Sequence, residues 1–391
     1  MNESKVLNLR VNKSLSVYKT QVKRRAQGML KYDYLVPAGY YQEQWDWDGF
    51  FIGVALSSEL PSEAIYLRNW ALNYLDAADE TGFTAGCVTP QGPETGHRLF
   101  LMKPFLAQGV FLASKFLNDY SWIKLYWPIL KKIVLYRERH RWSKKYGLAV
   151  LKNSMETGAD DNVAALSYPD NTVIAADINT YILREYKAMT LLARTLHKKS
   201  DEAAFRVRYE NVKRNILLHL WHSEDKIFYN RSISTEAYIK RVSFSDFVPL
   251  WEGIAPRADG AASIRQYLLN PQHLWSTYGL RTLSKKDPEY NNVNRIKPYS
   301  NWQGPVWPIA NYLYIHALLN YGFTKEASEN AVKITRLILS DIEKSGGMHE
   351  NYDAETGKPL AAPNFVSWNL LVNNLFDEVE NNYNPFKLDN G

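Results

Sequence analysis

Ten segments of this chain carry apolar residues at a 3.6-residue period: 12–27, 47–58, 61–78, 104–118, 121–143, 177–198, 202–222, 307–321, 325–345 and 363–377. Several open on helix-start signals. Pro61 and Ser62 begin one, Asp177 precedes another, and Pro308 lies in the first turn of a third. Strand-like alternation is confined to short pieces such as 238–247, and no linker or low-complexity stretch divides the chain. So many helices with almost no sheet exclude a doubly wound α/β fold. An α-solenoid and a closed barrel of helical hairpins remain. A solenoid repeats its residues, whereas these segments share length but not sequence, and the distinctive motifs sit in the loops between them. The expectation is one all-α domain over residues 1–391, a barrel whose loops at one end form a pocket.

Four loops concentrate polar and aromatic residues: 40-YYQEQWDWDGFF-51, 154-SMETGADDN-162, 299-YSNWQGPVWP-308 and 346-GGMHENYDAETG-357. Aromatics make up 14% of the chain, with 12 Trp, more than a core of this size needs. Aromatic faces stack on the C–H faces of a sugar ring, while carboxylates and amides bond its hydroxyls. Asp48, between Trp47 and Gly49, suits that task; the same stretch also reads as a helix N-terminus with Asp46 or Asp48 as its cap.

Glycoside hydrolysis needs two carboxyl groups flanking the bond, one protonated and one ionised. Crowding among like charges raises a carboxyl pKa. Asp160 beside Asp161, with Glu156 a turn away, forms such a crowd, and Glu350 follows Gly346 and Gly347 in a distant loop. The plainer alternatives are a helix-cap cluster for 156–162 and an exposed turn for 352–358.

Net charge is +6, and the basic residues concentrate in 131-KKIVLYRERHRWSKK-145. This reads as the solvated face of an amphipathic helix, and no nucleic-acid recognition motif accompanies it. There is no apolar run long enough to span a bilayer, no leader-like segment, and one cysteine, Cys87. The expected setting is cytoplasmic. No HExxH, GxGxxG, phosphate loop or GxSxG is present, so the expected partner is a small carbohydrate rather than a nucleic acid or a membrane. A homo-oligomer is left open.

The ordered set 45-WDWDGFF-51, 103-KPFLAQ-108, 156-ETGADDN-162, 177-DINTYI-182, 301-NWQGPVW-307 and 349-HENYDAETG-357 resembles glycoside hydrolase family 63 across residues 40–370. The relatives include trehalases, processing α-glucosidases and mannosylglycerate or glucosylglycerate hydrolases. The resemblance implies an (α/α)6 barrel of six helical hairpins and inverting hydrolysis of an α-glycosidic bond, with no metal or other cofactor. The expectation is exo-acting removal of a terminal α-glucosyl or α-mannosyl unit, with a glycosylglycerate hydrolase or a non-hydrolytic carbohydrate-binding barrel as the alternatives. Residue by residue it implies Asp160 as general acid and Glu350 as the base that polarises water. Trp45, Trp47, Asp48, Gln108, Trp302, Gln303, Gly304, Trp307 and Trp368 would bind substrate. Thr157 departs from the family's serine, Val163 and Ala164 replace a Pro-Arg pair, and Gln303 stands where an arginine is common. A glycerate aglycone would need a cation, for which His97, Arg98, Arg295 and Lys297 are the candidates.

Overall fold

The computed structural model of the chain describes residues 3–95, 99–293 and 300–389. Among them, two concentric rings of six helical segments make an (α/α)6 barrel. The inner ring consists of Asp46–Glu59, Leu106–Leu117, Ala176–Thr195, Phe244–Phe247 running into Val248–Trp251, Pro308–Asn320 and Ser367–Asn373. Each packs on the next, and the sixth returns to the first, so the ring closes. The outer ring consists of Glu3–Leu15, Ala64–Ala77, Ile123–Val134, Lys199–His219, Arg257–Ser263 with Ile264–Leu268, and Thr324–Ser345.

The two rings follow different sequence rules. An outer helix needs one apolar stripe: Glu3–Leu15 buries Leu7, Val11 and Leu15, and Lys199–His219 buries only Phe205, Val212 and Ile216. An inner helix is covered on every side. Pro308–Asn320 contains no Asp, Glu, Lys or Arg and buries all but its last residue. Its polar groups find partners inside, with Tyr312 Oη donating to Glu378 at 2.7 Å and His316 Nε2 lying 2.9 Å from the same carboxylate.

Aromatic rings fill the barrel axis. Phe386, from the chain's last turns, inserts among Phe50, Phe51, Tyr312 and Trp251, with ring centroids 5.3–6.3 Å away. The opposite end stays open beneath long loops that lead into the N-termini of the inner helices.

Most expected helices are present, with informative exceptions. The 12–27 segment is helical only to Leu15; Tyr18 and Val22 continue the apolar spacing, but the chain is already turning. The 121–143 segment breaks at Leu135 and ends in a short strand, Trp142–Ser143. The 363–377 segment is a tight Ser367–Asn373 turn followed by Leu375–Asn381. The strand-like 238–247 is a strand only at Tyr238–Ile239; a Ser243/Asp246 capping box then starts the fourth inner helix. The basic 131–145 residues are largely engaged: Lys131 with Asp201, Arg137 with Glu156, Lys145 with Glu236. No described helix is long and apolar enough to cross a membrane.

Candidate active site

The open end of the barrel holds a cavity of about 130 Å³, bounded by Tyr41, Trp45, Trp47, Asp48, Phe100, Lys103, Gly158, Asp160, Trp302, Trp307, Glu350, Phe365 and Trp368 among others. Its floor begins where the first inner helix starts. Asp46 accepts the N–H of Trp47 and that of Lys103, each at 2.7 Å, which ties the backbone at Lys103 to the first helical turn. Asp48, in that turn, accepts from Ser367 Oγ at 2.7 Å and so joins the first inner helix to the sixth.

The loop 154–162 is held by its other polar residues. Glu156 forms a buried pair with Arg137 at 3.0 Å and accepts the N–H of Lys152. Asp161 accepts the Trp302 N–H at 2.5 Å, and its carbonyl accepts from Gln303 Nε2 at 3.2 Å. Gly158 has φ +88°, and a Cβ there would meet the Trp47 ring at 2.7 Å, so only glycine lets the loop lie on that tryptophan. Asp160 is left facing the cavity, with no hydrogen-bond partner among the described residues.

The loop 346–357 is held by main chain. Glu350 N–H donates to Ala361 O at 2.9 Å, Asn351–Tyr352 pairs with Pro359–Ala361, and Tyr352 exchanges both backbone bonds with Val306. That last bridge fixes Glu350 relative to Trp307. His349 turns away, its Nδ1 2.9 Å from Asp341. Asp353 caps its own turn by accepting from the N–H groups of Glu355 and Thr356, and Glu355 pairs with Arg281 and Lys285. The Glu350 carboxyl, like that of Asp160, faces the cavity with no hydrogen-bond partner among the described residues.

Tryptophans wall the space between the two carboxyls. Trp302 and Trp307 stack at 4.1 Å, with Trp307 Nε1 donating to Asn301 O at 2.7 Å. Trp47 lies 5.9 Å from Trp302 and 5.2 Å from Trp368. In this low-dielectric enclosure the three acids of the cavity wall, Asp48, Asp160 and Glu350, are pushed toward their neutral forms. Burial raises Asp160 to about 7; Lys103 opposes the shift, while Asp161, Asp48 and Asp46 add to it. Burial also raises Asp48 to about 7. Glu350 goes well above the usual carboxylate range, through burial and then the charges of Asp48 and Asp160.

The structure thus gathers Trp45, Trp47, Asp48, Asp160, Trp302, Trp307, Glu350 and Trp368 around one cavity. Three expected substrate contacts are elsewhere. Gln108 lies beneath the cavity, donating to Pro104 O and Tyr181 O and accepting from Arg184, because its place in the second inner helix faces the third. Gln303 ties loops together through Asp161 O and Asn291. Gly304, at φ +151°, provides a close approach to Asn291 O, where a Cβ would come within 2.5 Å. His97, Arg98, Arg295 and Lys297 lie outside the described residues.

Sequence reasoning missed Tyr41, Phe100, Lys103 and Phe365 as cavity residues. Tyr41 was legible: it stands four residues before Trp45 in the same aromatic loop. Lys103 opens a segment singled out for other reasons, and Phe100 and Phe365 had no local signal. Among the described residues no three His, Cys, Asp or Glu side chains are placed to hold a metal ion.

A family model, the mannosylglycerate hydrolase MGH1-like glycoside hydrolase domain, matches residues 40–368. The chain is 24% identical over 256 residues to a probable mannosyl-oligosaccharide glucosidase of Schizosaccharomyces pombe, covering 62% of this chain and 30% of that protein. It is 25% identical over 195 residues to a mannosylglycerate hydrolase of Rubrobacter radiotolerans, covering 50% of this chain and 41% of that one. The matched part of the chain therefore spans less than half the length of each of these curated relatives. Its fold superposes on a family 63 mannosylglycerate hydrolase from Thermus thermophilus, solved with glucose, at a TM-score of 0.72 and 20% identity, covering 93% of this chain and 99% of that one.

Proposed function

The chain belongs to the family of MGH1-like glycoside hydrolase domains, and we propose that it is an inverting, exo-acting α-glycosidase. It removes a terminal α-glucosyl or α-mannosyl unit from a small glycoside or oligosaccharide. One observation carries this reading: two carboxyls from separate loops, the half-buried Asp160 and the buried Glu350, face one tryptophan-walled cavity without a hydrogen-bond partner among the described residues. The cavity falls below the roughly 300–1,000 Å³ of pockets for larger ligands, which favours a single ring over an internal stretch of polymer.

In this mechanism Asp160 enters protonated, as its pKa of about 7 allows near neutrality. It gives that proton to the glycosidic oxygen as the bond to the anomeric carbon breaks. Glu350 works as the carboxylate, which it must reach by shedding its own proton against the burial that raises its pKa, and takes a proton from water attacking the opposite ring face. Inversion requires the two carboxyls to stand about 6.5–9.5 Å apart, with that water between ring and base. Asp48, braced by Ser367, accepts hydroxyl protons of the sugar, and Trp47, Trp302 and Trp368 stack against its apolar faces. A cytoplasmic setting goes with the proposal, supported by a single, buried cysteine.

A glycosylglycerate is the second candidate substrate, favoured by the mannosylglycerate hydrolase among the relatives. NMR of α-glucosides, α-mannosides and glycosylglycerates during hydrolysis tests both readings. Release of the β-anomer first supports inversion, and release of the α-anomer overturns it. Turnover by Asp160→Asn or Glu350→Gln at near wild-type rate overturns the residue assignment.

A further inference from the structure

The described wall of the cavity contains three acids, Asp48, Asp160 and Glu350, and one cation, Lys103. That lysine is only 3% exposed, an expensive place for an ammonium group unless it has partners. Its Nζ lies 3.1 Å from one oxygen of Asp46 and 3.5 Å from the other, over the face of Phe100 at 4.2 Å and of Trp47 at 5.5 Å. An ammonium has three donors, and Asp46 is the acceptor they reach among the described residues. Asp46 is also held by two main-chain N–H bonds, so the buried Lys103–Asp46 pair leaves the ammonium with donors to spare for a ligand.

Carboxylates can only accept a hydrogen bond from a sugar hydroxyl. A hydroxyl is read completely when one partner accepts its proton and another donates to its oxygen. Asp48 and Lys103 stand in the same wall and supply those two halves.

Resting on the glycosidase reading, we propose that Lys103 is a specificity-determining residue whose ammonium donates to a hydroxyl oxygen of the ring held in the cavity. It then selects among sugars by the position and configuration of that hydroxyl. Loss of a charged hydrogen bond costs about tenfold to a hundredfold in transition-state binding.

The test measures kcat/KM of wild type and Lys103→Met on p-nitrophenyl α-glucoside and α-mannoside and on each of their monodeoxy analogues. Tryptophan-fluorescence titration with the matching methyl glycosides gives binding without chemistry. The expected result is a tenfold or greater loss on the parent sugar that disappears on one deoxy analogue and persists on the others. A loss equal on every analogue makes Lys103 a structural brace and overturns the proposal. If Lys103→Met does not fold, Lys103→Arg, which keeps the charge beside Asp46 but moves the donors, is read the same way. It should change the order of preference among the analogues, and an unchanged order overturns the proposal. Wild-type protein that neither binds nor cleaves any of these sugars overturns the glycosidase reading, and this proposal with it.

Discussion

The two loops that deliver carboxyls to the cavity solve one problem by different means. In the loop 154–162, Asp160 is positioned by neighbouring acidic side chains: Glu156 on Arg137 and Asp161 on the Trp302 N–H. In the loop 346–357, Glu350 is positioned by main-chain pairing with residue 361 and, through Tyr352, with Val306. The other carboxylates there, Asp353 and Glu355, stay in an outer turn. Each loop carries three acids and leaves one bare. The difference teaches that Asp160's position hangs on buried acidic side chains and Glu350's on backbone, so charge substitutions should separate the loops.

The largest effect falls on the two bare carboxyls. Asp160→Asn and Glu350→Gln should each lower kcat by about 10²–10⁴-fold, measured on the true substrate. Stability should move the other way. Asp160 has its pKa raised to about 7 in the native state, so the folded protein holds that proton more tightly than the unfolded chain. The stabilisation is full below the unfolded value near ~3.9 and is lost as pH rises through about 7. Above that pH the Asn variant should melt higher than wild type, and wild-type turnover should decline as the acid loses its proton. A variant that melts lower at pH 8 would show that Asp160 supports the loop rather than being strained within it.

Next in size is the buried pair beneath the loop 154–162. Glu156→Gln leaves Arg137 charged and almost wholly buried, which costs about 3–5 kcal/mol. Thermal melts should report the loss, together with reduced activity because the loop shifts. Asp161→Ala removes an acceptor from the Trp302 N–H, at about 1–3 kcal/mol. Its kinetic signature should be a fall in kcat larger than the rise in KM, since Asp160 is displaced while the stacked Trp302 and Trp307 still hold the sugar.

The same contrast explains how much could be read from sequence. Helices were legible where one periodic stripe persisted, as in Thr324–Ser345, and where caps were local. The fourth hairpin was not, because Phe244–Trp251 is short, tightly wound and buried on all sides, so it lacks a stripe altogether. Asp160 and Glu350 stood out within motifs, and the structure places both at the cavity. Gln108 was misplaced because a motif gives a position in the chain and not the side of a helix; it faces Arg184 and Tyr181. Lys103 was invisible as a cavity residue, since its meaning depends on Phe100, Trp47 and Asp46 meeting around it.

The smallest effect should come from Glu355, which the sequence sets beside Glu350 in the same acidic cluster. Its carboxylate is held down to about 2 by Tyr290, Arg281 and Lys285 working against partial burial. Because its side chain is 39% exposed, solvent screening leaves Glu355→Gln with a cost of about 1 kcal/mol or less. Its depressed pKa contributes stability that is present above the ordinary carboxylate value and lost as pH falls toward 2, so the variant should differ from wild type at pH 6 and converge with it in strong acid. Turnover should be unchanged, because main-chain bonds hold Glu350 whether or not Glu355 is charged. A tenfold loss of activity in Glu355→Gln would show that charge holds the base as well, and the distinction between the two loops would collapse.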